Sequence, residues 1–323
     1  MGAADVVISG VGVAVAGVDG PDDLLRRMPA GEGGDPARRL TGKGLRYKDR
    51  ATRLALCAGR DALADAGLLR DPGLTVSSET VGVVVSSNYG NVDTICDTVR
   101  TIADETYVGL SPMALPATAS NVIASWLAIW FRLRGANLTM CNGPTSGLDA
   151  VNWARLLVLA GRVDRVLVVG VEPDNPPVRH LVTGGASDQD GVRPRLFDGA
   201  AALVLESARA VRDREVEALA TVGPYARKAD QSTAVAAIRG TDPRPVDMWF
   251  GSGAGGPTGI TPASTYDLTA YHGDCSGALG VLQCVAGTAW LSGNDSGAVL
   301  ASADGEGADA AAALLLTVGG GRS

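Results

Sequence analysis

The chain has 323 residues, 46% of them hydrophobic but only 4% aromatic, and a formal net charge of −7. That length suits two fused α/β halves sharing one core. The acidic balance argues against a nucleic-acid footprint, and the lack of an apolar run of about 18 residues argues against a membrane span.

Residues 6–16, VVISGVGVAVA, form a β-rich run at once, without the flanks of a signal peptide. Residues 28–50 are rich in Gly and Arg and read as loop. Over 52–66, Leu54, Ala55, Ala58, Ala62 and Ala66 recur at helical spacing, and Gly67 is the stop. Residues 81–87 read as a buried strand ending in Asn88-Tyr89-Gly90. A helix is expected over 121–133, a short strand over 137–141, a helix over 145–159 entered through Gly143-Pro144, and a strand over 163–171. The second half repeats the rhythm, with strands at 200–206, 216–222 and 246–250, the last running into GSGAGGPTG. A helix follows at 277–291, then strands at 298–303 and 311–318 around ADGEGAD. Strands alternating with helices argue for α/β layers. Residues 180–195 are the least patterned and mark the boundary between an N-terminal half, 1–180, and a C-terminal half, 195–323, of one compact unit. Five cysteines (Cys57, Cys96, Cys141, Cys275, Cys284) are an odd set without metal-type spacing, which reads as reduced core thiols in a cytoplasmic protein.

The segment RGANLTMCNGPTSGLDAVNWARLLVLAGRVDRVLVVGVEP resembles the nucleophile region of β-ketoacyl synthases. In that family RGP precedes a strand, T-A-C-S-S-G opens a helix, and a later strand ends in G-G-x-(D/E). Here Arg134-Gly135, Thr145-Ser146-Gly147 and Val169-Gly170-Val171-Glu172 take those places. RATRLALCAGRDALADAGL resembles the family's first long helix, VGVVVSSNYG its second strand, and FDGAAALVLE a shortened form of its F-D…G-A-x-x-L-V-L-E run. The resemblance covers most of the chain. It implies an α/β, thiolase-like fold of five layers, αβαβα, built from two pseudo-symmetric halves and forming dimers.

A condensing enzyme needs a thiolate at a helix N-terminus, where its pKa falls and backbone N–H groups face the oxyanion. By resemblance it also needs two His for the enolate and a Lys. On the family's pattern, Pro144 stands where the Cys belongs, Phe250 in the place of the first His, Thr269 in that of the Lys and Asp274 in that of the second His. Proline carries no nucleophile, although it fits a first helical turn well. Counting agrees, since the chain has three Lys, none after Lys228, and two His, His180 and His272. Asp304-Gly305-Glu306-Gly307 replaces the family's gating G-F-G-G. No catalytic residue is therefore expected, and no metal or cofactor.

A scaffold kept while its reactive groups are lost resembles the chain-length factor, or ketosynthase β subunit, of type II polyketide synthases; Gly147-Leu148-Asp149-Ala150 is typical of these. The resemblance implies a heterodimer with a catalytic ketosynthase and an interface tunnel for the polyketide chain. It also implies contact with acyl carrier protein mainly through the partner. Met113, Ala114, Leu115 and Ala117 would line the tunnel. Asn137, Leu138, Thr139, Met140 and Cys141 would lie at the dimer interface, supported by Trp126 and Trp130. Arg38, Arg39, Lys43, Arg46, Lys48, Arg50 and Arg53 form the densest basic stretch, a candidate carrier contact. Pro144 in place of the usual Gln, with the deletions between Asn175 and Phe197, points towards a reduced, polyene-like chain. Two alternatives stand beside this reading: a divergent ketosynthase or acyltransferase using Cys141 and His272, and a non-catalytic acyl-binding homodimer.

Overall fold

The apolar runs of the sequence become strands β1 (Val6–Val15), β2 (Leu69–Arg70), β3 (Gly73–Leu74), β4 (Val81–Ser86), β5 (Asn137–Met140) and β6 (Arg165–Glu172). The second series is β7 (Gly199–Ser207), β8 (Ala220–Lys228), β9 (Met248–Phe250), β10 (Ser264–Tyr266), β11 (Ala298–Ala303) and β12 (Ala311–Val318). The helices are α1 (Arg50–Asp65), α2 (Val92–Glu105), α3 (Val122–Phe131), α4 (Ser146–Leu159), α5 (Pro176–Val182), α6 (Ala208–Asp213), α7 (Gln231–Thr241), α8 (Thr269–His272) and α9 (Leu279–Ser292). The structure is a computed structural model and describes residues 5–26, 33–42, 44–45, 48–112, 114–184, 194–251, 259–294, 297–305 and 307–319.

One mixed sheet of ten strands runs in the order β10-β9-β11-β12-β8-β1-β7-β6-β4-β5. It is two copies of one pattern. In the first copy β5, β4 and β6 are parallel, β7 is antiparallel to β6, and β1 is antiparallel to β7. In the second, β10, β9, β11, β12 and β8 repeat those relations one for one. The copies meet in a short antiparallel contact, Val7 opposite Thr221 and Ile8 opposite Ala220. β7 follows the unpatterned stretch 180–195 yet pairs along the whole of β1 and β6, so the topological repeat changes over between β7 and β8. β7 belongs there because both its faces are covered: Ala200, Ala202 and Val204 pack outward, while Ala201, Leu203 and Leu205 pack inward.

Side-chain alternation at period two sorts the residues into layers. Val81, Val83 and Val85 of β4 face α1 and α3, whereas Val84 faces the middle. In the middle layer α4 and α9 pack between the inner faces of both copies. On the far side, α7 covers Ala298, Leu300, Ala313 and Leu315 through Ala234, Val235 and Ile238. The result is helices, sheet, helices, sheet, helices, the thiolase-like arrangement. α4 and α9 touch backbone to backbone: a Cβ on Gly280 would stand 2.3 Å from the Leu148 nitrogen, and one on Gly147 2.6 Å from the Gly280 nitrogen.

Several elements depart from the sequence reading. α2 is not among the elements read from the sequence; none of its residues is buried. α5, α6, α7, α8 and β10 were not expected either. β8 begins at Ala220 rather than 216, since the turn closing α6 extends to Val216, whose N–H donates to Val211.

Candidate functional site: the elbow between β5 and α4

β5 runs along β4, and the chain then turns through Asn142-Gly143-Pro144 into α4. Gly143 adopts a positive φ of 72°, which tightens the turn without a Cβ penalty. Asn88, at the end of β4, holds the elbow. Its amide donates to the Gly143 carbonyl (3.0 Å) and to Ser276 Oγ (2.9 Å), and its oxygen accepts from the Gly143 N–H (3.2 Å). Ser146 Oγ accepts from the Asn142 N–H at 2.7 Å and donates to the Gly143 carbonyl at 2.8 Å. Pro144 is therefore clamped at the first turn of the helix, and it contributes neither a thiol nor a backbone N–H at that point.

Glu172, at the end of β6, lies beneath this turn. It accepts from the N–H groups of Asn88 (2.7 Å), Tyr89 (3.1 Å) and Gly277 (3.0 Å), and from Ser87 Oγ (3.1 Å). Burial pushes its carboxyl up to about 7 in spite of those donors. Asp149, on α4, accepts from Thr145 Oγ1 (2.8 Å), from the Asn142 amide and from the Tyr225 hydroxyl of β8. Burial first, then Asp149, raises the pKa of that hydroxyl. One carboxylate thus ties the elbow to the turn before α9, and the other ties it to the second sheet copy.

A cavity of about 850 Å³ opens at the elbow. Pro144, Thr269, Asp274 and Cys141 all line it, together with Asn88, Tyr89, Arg195 and Asp304. The fold has therefore gathered three of the four replaced positions into one place. Thr269 is engaged locally, its hydroxyl donating to Asp267 at 2.6 Å; Asp274 is exposed and accepts from the Ser276 N–H at 2.9 Å. Phe250 is the fourth of these positions. It is fully buried, its ring 6.0 Å from that of Tyr266, and it belongs to the central core rather than to the cavity wall, because a large apolar ring ending β9 gains more by packing inward. Gly305 lies close over Pro144: a Cβ on it would stand 2.7 Å from Pro144 Cγ.

Cys141 lines the elbow cavity and His272 a second one. Cys141 is exposed at the elbow, and burial, with Glu172 behind it, pushes its thiol up rather than towards thiolate. His272 lies on α8, whose turn aims it to the opposite side of Asp274, into a second cavity.

The expected tunnel segment lies open in the single chain. Met113 falls outside the described residues. Ala114 and Leu115 are exposed, and Ala117 is half-buried against the outer core, its carbonyl accepting from the Asn91 amide at 2.7 Å. Of the expected interface residues, Asn137, Leu138, Thr139 and Met140 form the outer edge of the sheet, with Cys141 just beyond it. Trp126 and Trp130, expected to support that strand, are half-buried against the outer core, with Lys48 Nζ 2.9 Å from the Trp126 ring centroid. The exposed apolar residue of that helix is Ile129. Within the basic stretch Arg50 is bidentate to Asp198 (2.7 and 2.5 Å), Arg39 pairs with Asp61 at 3.1 Å, and the exposed Arg38 lies 3.6 Å from Asp35. Lys43 and Arg46 lie outside the described residues.

Sequence reasoning missed Asn88 and the positional role of Glu172. It also missed a row of exposed apolar residues, Ile95, Val99 and Ile102 on α2, then Tyr107 and Val108. The spacing of the first three was a helical signal in itself. Among the described residues, no group of three His, Cys, Asp or Glu is placed to hold a metal ion, and no helix is long and apolar enough to cross a membrane.

This elbow, on a helix packed between two copies of a five-strand pattern, defines a condensing-enzyme scaffold. The chain belongs to the β-ketoacyl synthase family: the profile of the β-ketoacyl synthase N-terminal domain matches residues 35–202. Among curated proteins, 3-oxoacyl-[acyl-carrier-protein] synthase 2 of Vibrio cholerae is 26% identical over 218 residues, 62% of this chain and 51% of that protein. The granaticin polyketide putative β-ketoacyl synthase 1 of Streptomyces violaceoruber is 29% identical over 271 residues, 69% of this chain and 63% of that protein. The chain thus spans about half to under two thirds of the length of such relatives. Among solved structures, the ishigamide ketosynthase/chain length factor superposes with a TM-score of 0.76 at 22% identity, covering 97% of this chain and 99% of that one. A chain of a type II polyketide synthase ketosynthase in complex with its acyl carrier protein gives a TM-score of 0.77 at 17% identity, with the same coverage. These likenesses show a ketosynthase-like fold.

Proposed function

We propose that this chain is a chain-length-factor subunit of a type II polyketide synthase, non-catalytic itself, which pairs with a catalytic ketosynthase and shapes the channel for a carrier-bound polyketide chain. The observation that carries this reading is Pro144 at the elbow. A proline there removes the thiol that would accept an acyl group and also the N–H that would stabilise an oxyanion. The rest of the cavity supports it. Of the replaced positions, those that line it are Pro144, Thr269 and Asp274, none of them a thiol, an imidazole or an ammonium.

Partner contact is favoured by what is left uncovered. β5 is a bare sheet edge. Trp153, Leu156 and Leu159 on α4, Ile129 on α3 and the apolar row of α2 are all exposed, and apolar residues gathered on one helix face suit a partner surface. The segment around Ala114, Leu115 and Ala117 lies open in the single chain, and a partner closing over it would complete a channel. The product proposed is a reduced, polyene-like chain, on the shortened stretch between Asn175 and Phe197.

The test is co-expression with an intact Cys-bearing ketosynthase from the same gene neighbourhood. The two chains should purify in equal amounts, with acyl label on the partner's cysteine alone. Label on Cys141, or this chain running as a monodisperse monomer beside an active ketosynthase, would refute the proposal.

A further inference from the structure

The second cavity, about 410 Å³, lies between the end of β1, the segment 194–198, α5 and α8. It shares only Pro194 and Arg195 with the elbow cavity and has no part in the reading above. Its wall is Val15, Ala16, Leu196 and Phe197, with four charged residues and His272.

His272 is 4% exposed, and among the described residues neither ring nitrogen has a hydrogen-bond partner. A buried polar group left unsatisfied costs about 1–3 kcal/mol, and native structures seldom keep one without a use. The carboxylates in the wall do not answer it. Asp174 is held by Arg179 at 2.6 and 2.5 Å. Asp198 is held by Arg50 at 2.7 and 2.5 Å and accepts the Asp174 N–H at 3.1 Å.

We propose that this cavity binds a small carboxylate, its oxygens accepting from the imidazole N–H of His272 within the field of Arg195, its short alkyl tail against Val15, Ala16, Leu196 and Phe197. The volume is in the range of small-ligand pockets. Burial, and then the charge of Arg195, hold His272 down at about 4, so the ring is neutral near pH 7. A neutral imidazole keeps one N–H to give, and the nearby cation favours an anionic acceptor over an uncharged one.

Water is the competing occupant, and the test separates the two. The full chain, in its assembled form, is labelled with ring-13C histidine in this subunit alone. The subunit has two histidines, so exposed His180 serves as the internal reference. Butyrate is titrated at fixed pH and ionic strength, with butyramide as the uncharged control of equal shape. The proposal expects a saturable shift of the His272 signal with butyrate, with Kd on the order of 1 mM. It expects at least a tenfold weaker effect of butyramide, no movement of His180, and loss of the response in Ala16→Phe. Equal responses to the two probes would overturn carboxylate recognition. A linear, non-saturating drift, or no shift in the unsubstituted chain, would overturn the site itself, whether or not the Ala16→Phe chain folds.

Discussion

The two copies of the sheet pattern each deliver a helix to the middle layer through a short 3-10 turn, Gly143–Thr145 before α4 and Ser276–Ala278 before α9. The helices cross at Gly147 and Gly280, yet their surroundings differ. Of α9, the run from Leu279 to Ala289 is wholly buried, as is Leu291. α4 buries its first turn and one stripe, Val151, Ala154 and Val158, and leaves Trp153, Leu156 and Leu159 in solvent. Equal topology with unequal burial teaches that the second copy is the finished interior of this chain. The first copy presents a half-built face on α4 and ends in the uncovered edge strand β5.

The sharpest break of that comparison is a charge on each helix. Val285→Glu on α9 places a carboxylate in the core and should cost about 4 kcal/mol or more, leaving the chain unfolded in a denaturant titration. Gly280→Val should cost about 3 kcal/mol in the same assay, because the side chain meets backbone that cannot move aside. Leu156→Glu on α4 should change the stability of the single chain by about 1 kcal/mol at most. It should weaken association with the ketosynthase by about 2 kcal/mol, roughly 30-fold, by sedimentation or calorimetry.

Glu172 joins the two elbows, and its protonation gives a smaller, pH-dependent effect. Its folded pKa, about 7, is above the ordinary 4.5. The folded state then holds a proton that the unfolded chain has released. The contribution is fully present below 4.5 and falls by about 1.4 kcal/mol per pH unit until the pH passes 7. Glu172→Gln should flatten that slope in melts run from pH 5 to 8. It should also cost about 1 kcal/mol at the acid end, since an amide NH₂ then faces N–H donors. The smallest effect belongs to Cys141→Ala. The thiol is exposed, its one polar contact is a 4.0 Å approach to the Asn88 carbonyl, and its pKa is raised. Stability should change by less than about 0.5 kcal/mol, and chain elongation by the assembled pair should be unaltered.

Much of the scaffold was legible in residue order. Valines at 81, 83, 84 and 85, alanines and leucines from 200 to 205, and the alternating run from 6 to 15 could only be strands buried on both faces. The elbow was legible because a Gly-Pro pair before a helical repeat has few conformations available. Pro144, Thr269 and Asp274 were brought together as their places in the motif order implied. Phe250 was not, since a motif fixes position along the backbone while the direction of a side chain follows from what it can pack against.

By itself, then, the sequence determined most of the strands, the two helices of the middle layer, and the absence of a thiol at the elbow. These are local patterns, each written within a few turns of chain. Only the tertiary structure decided that β7 closes the first copy, that Trp126 and Trp130 serve the outer core while α2 and α4 face outward, and that His272 looks into a cavity of its own. Those outcomes depend on which surfaces meet across more than a hundred residues of chain, and period and spacing carry no information about the neighbour on the other side.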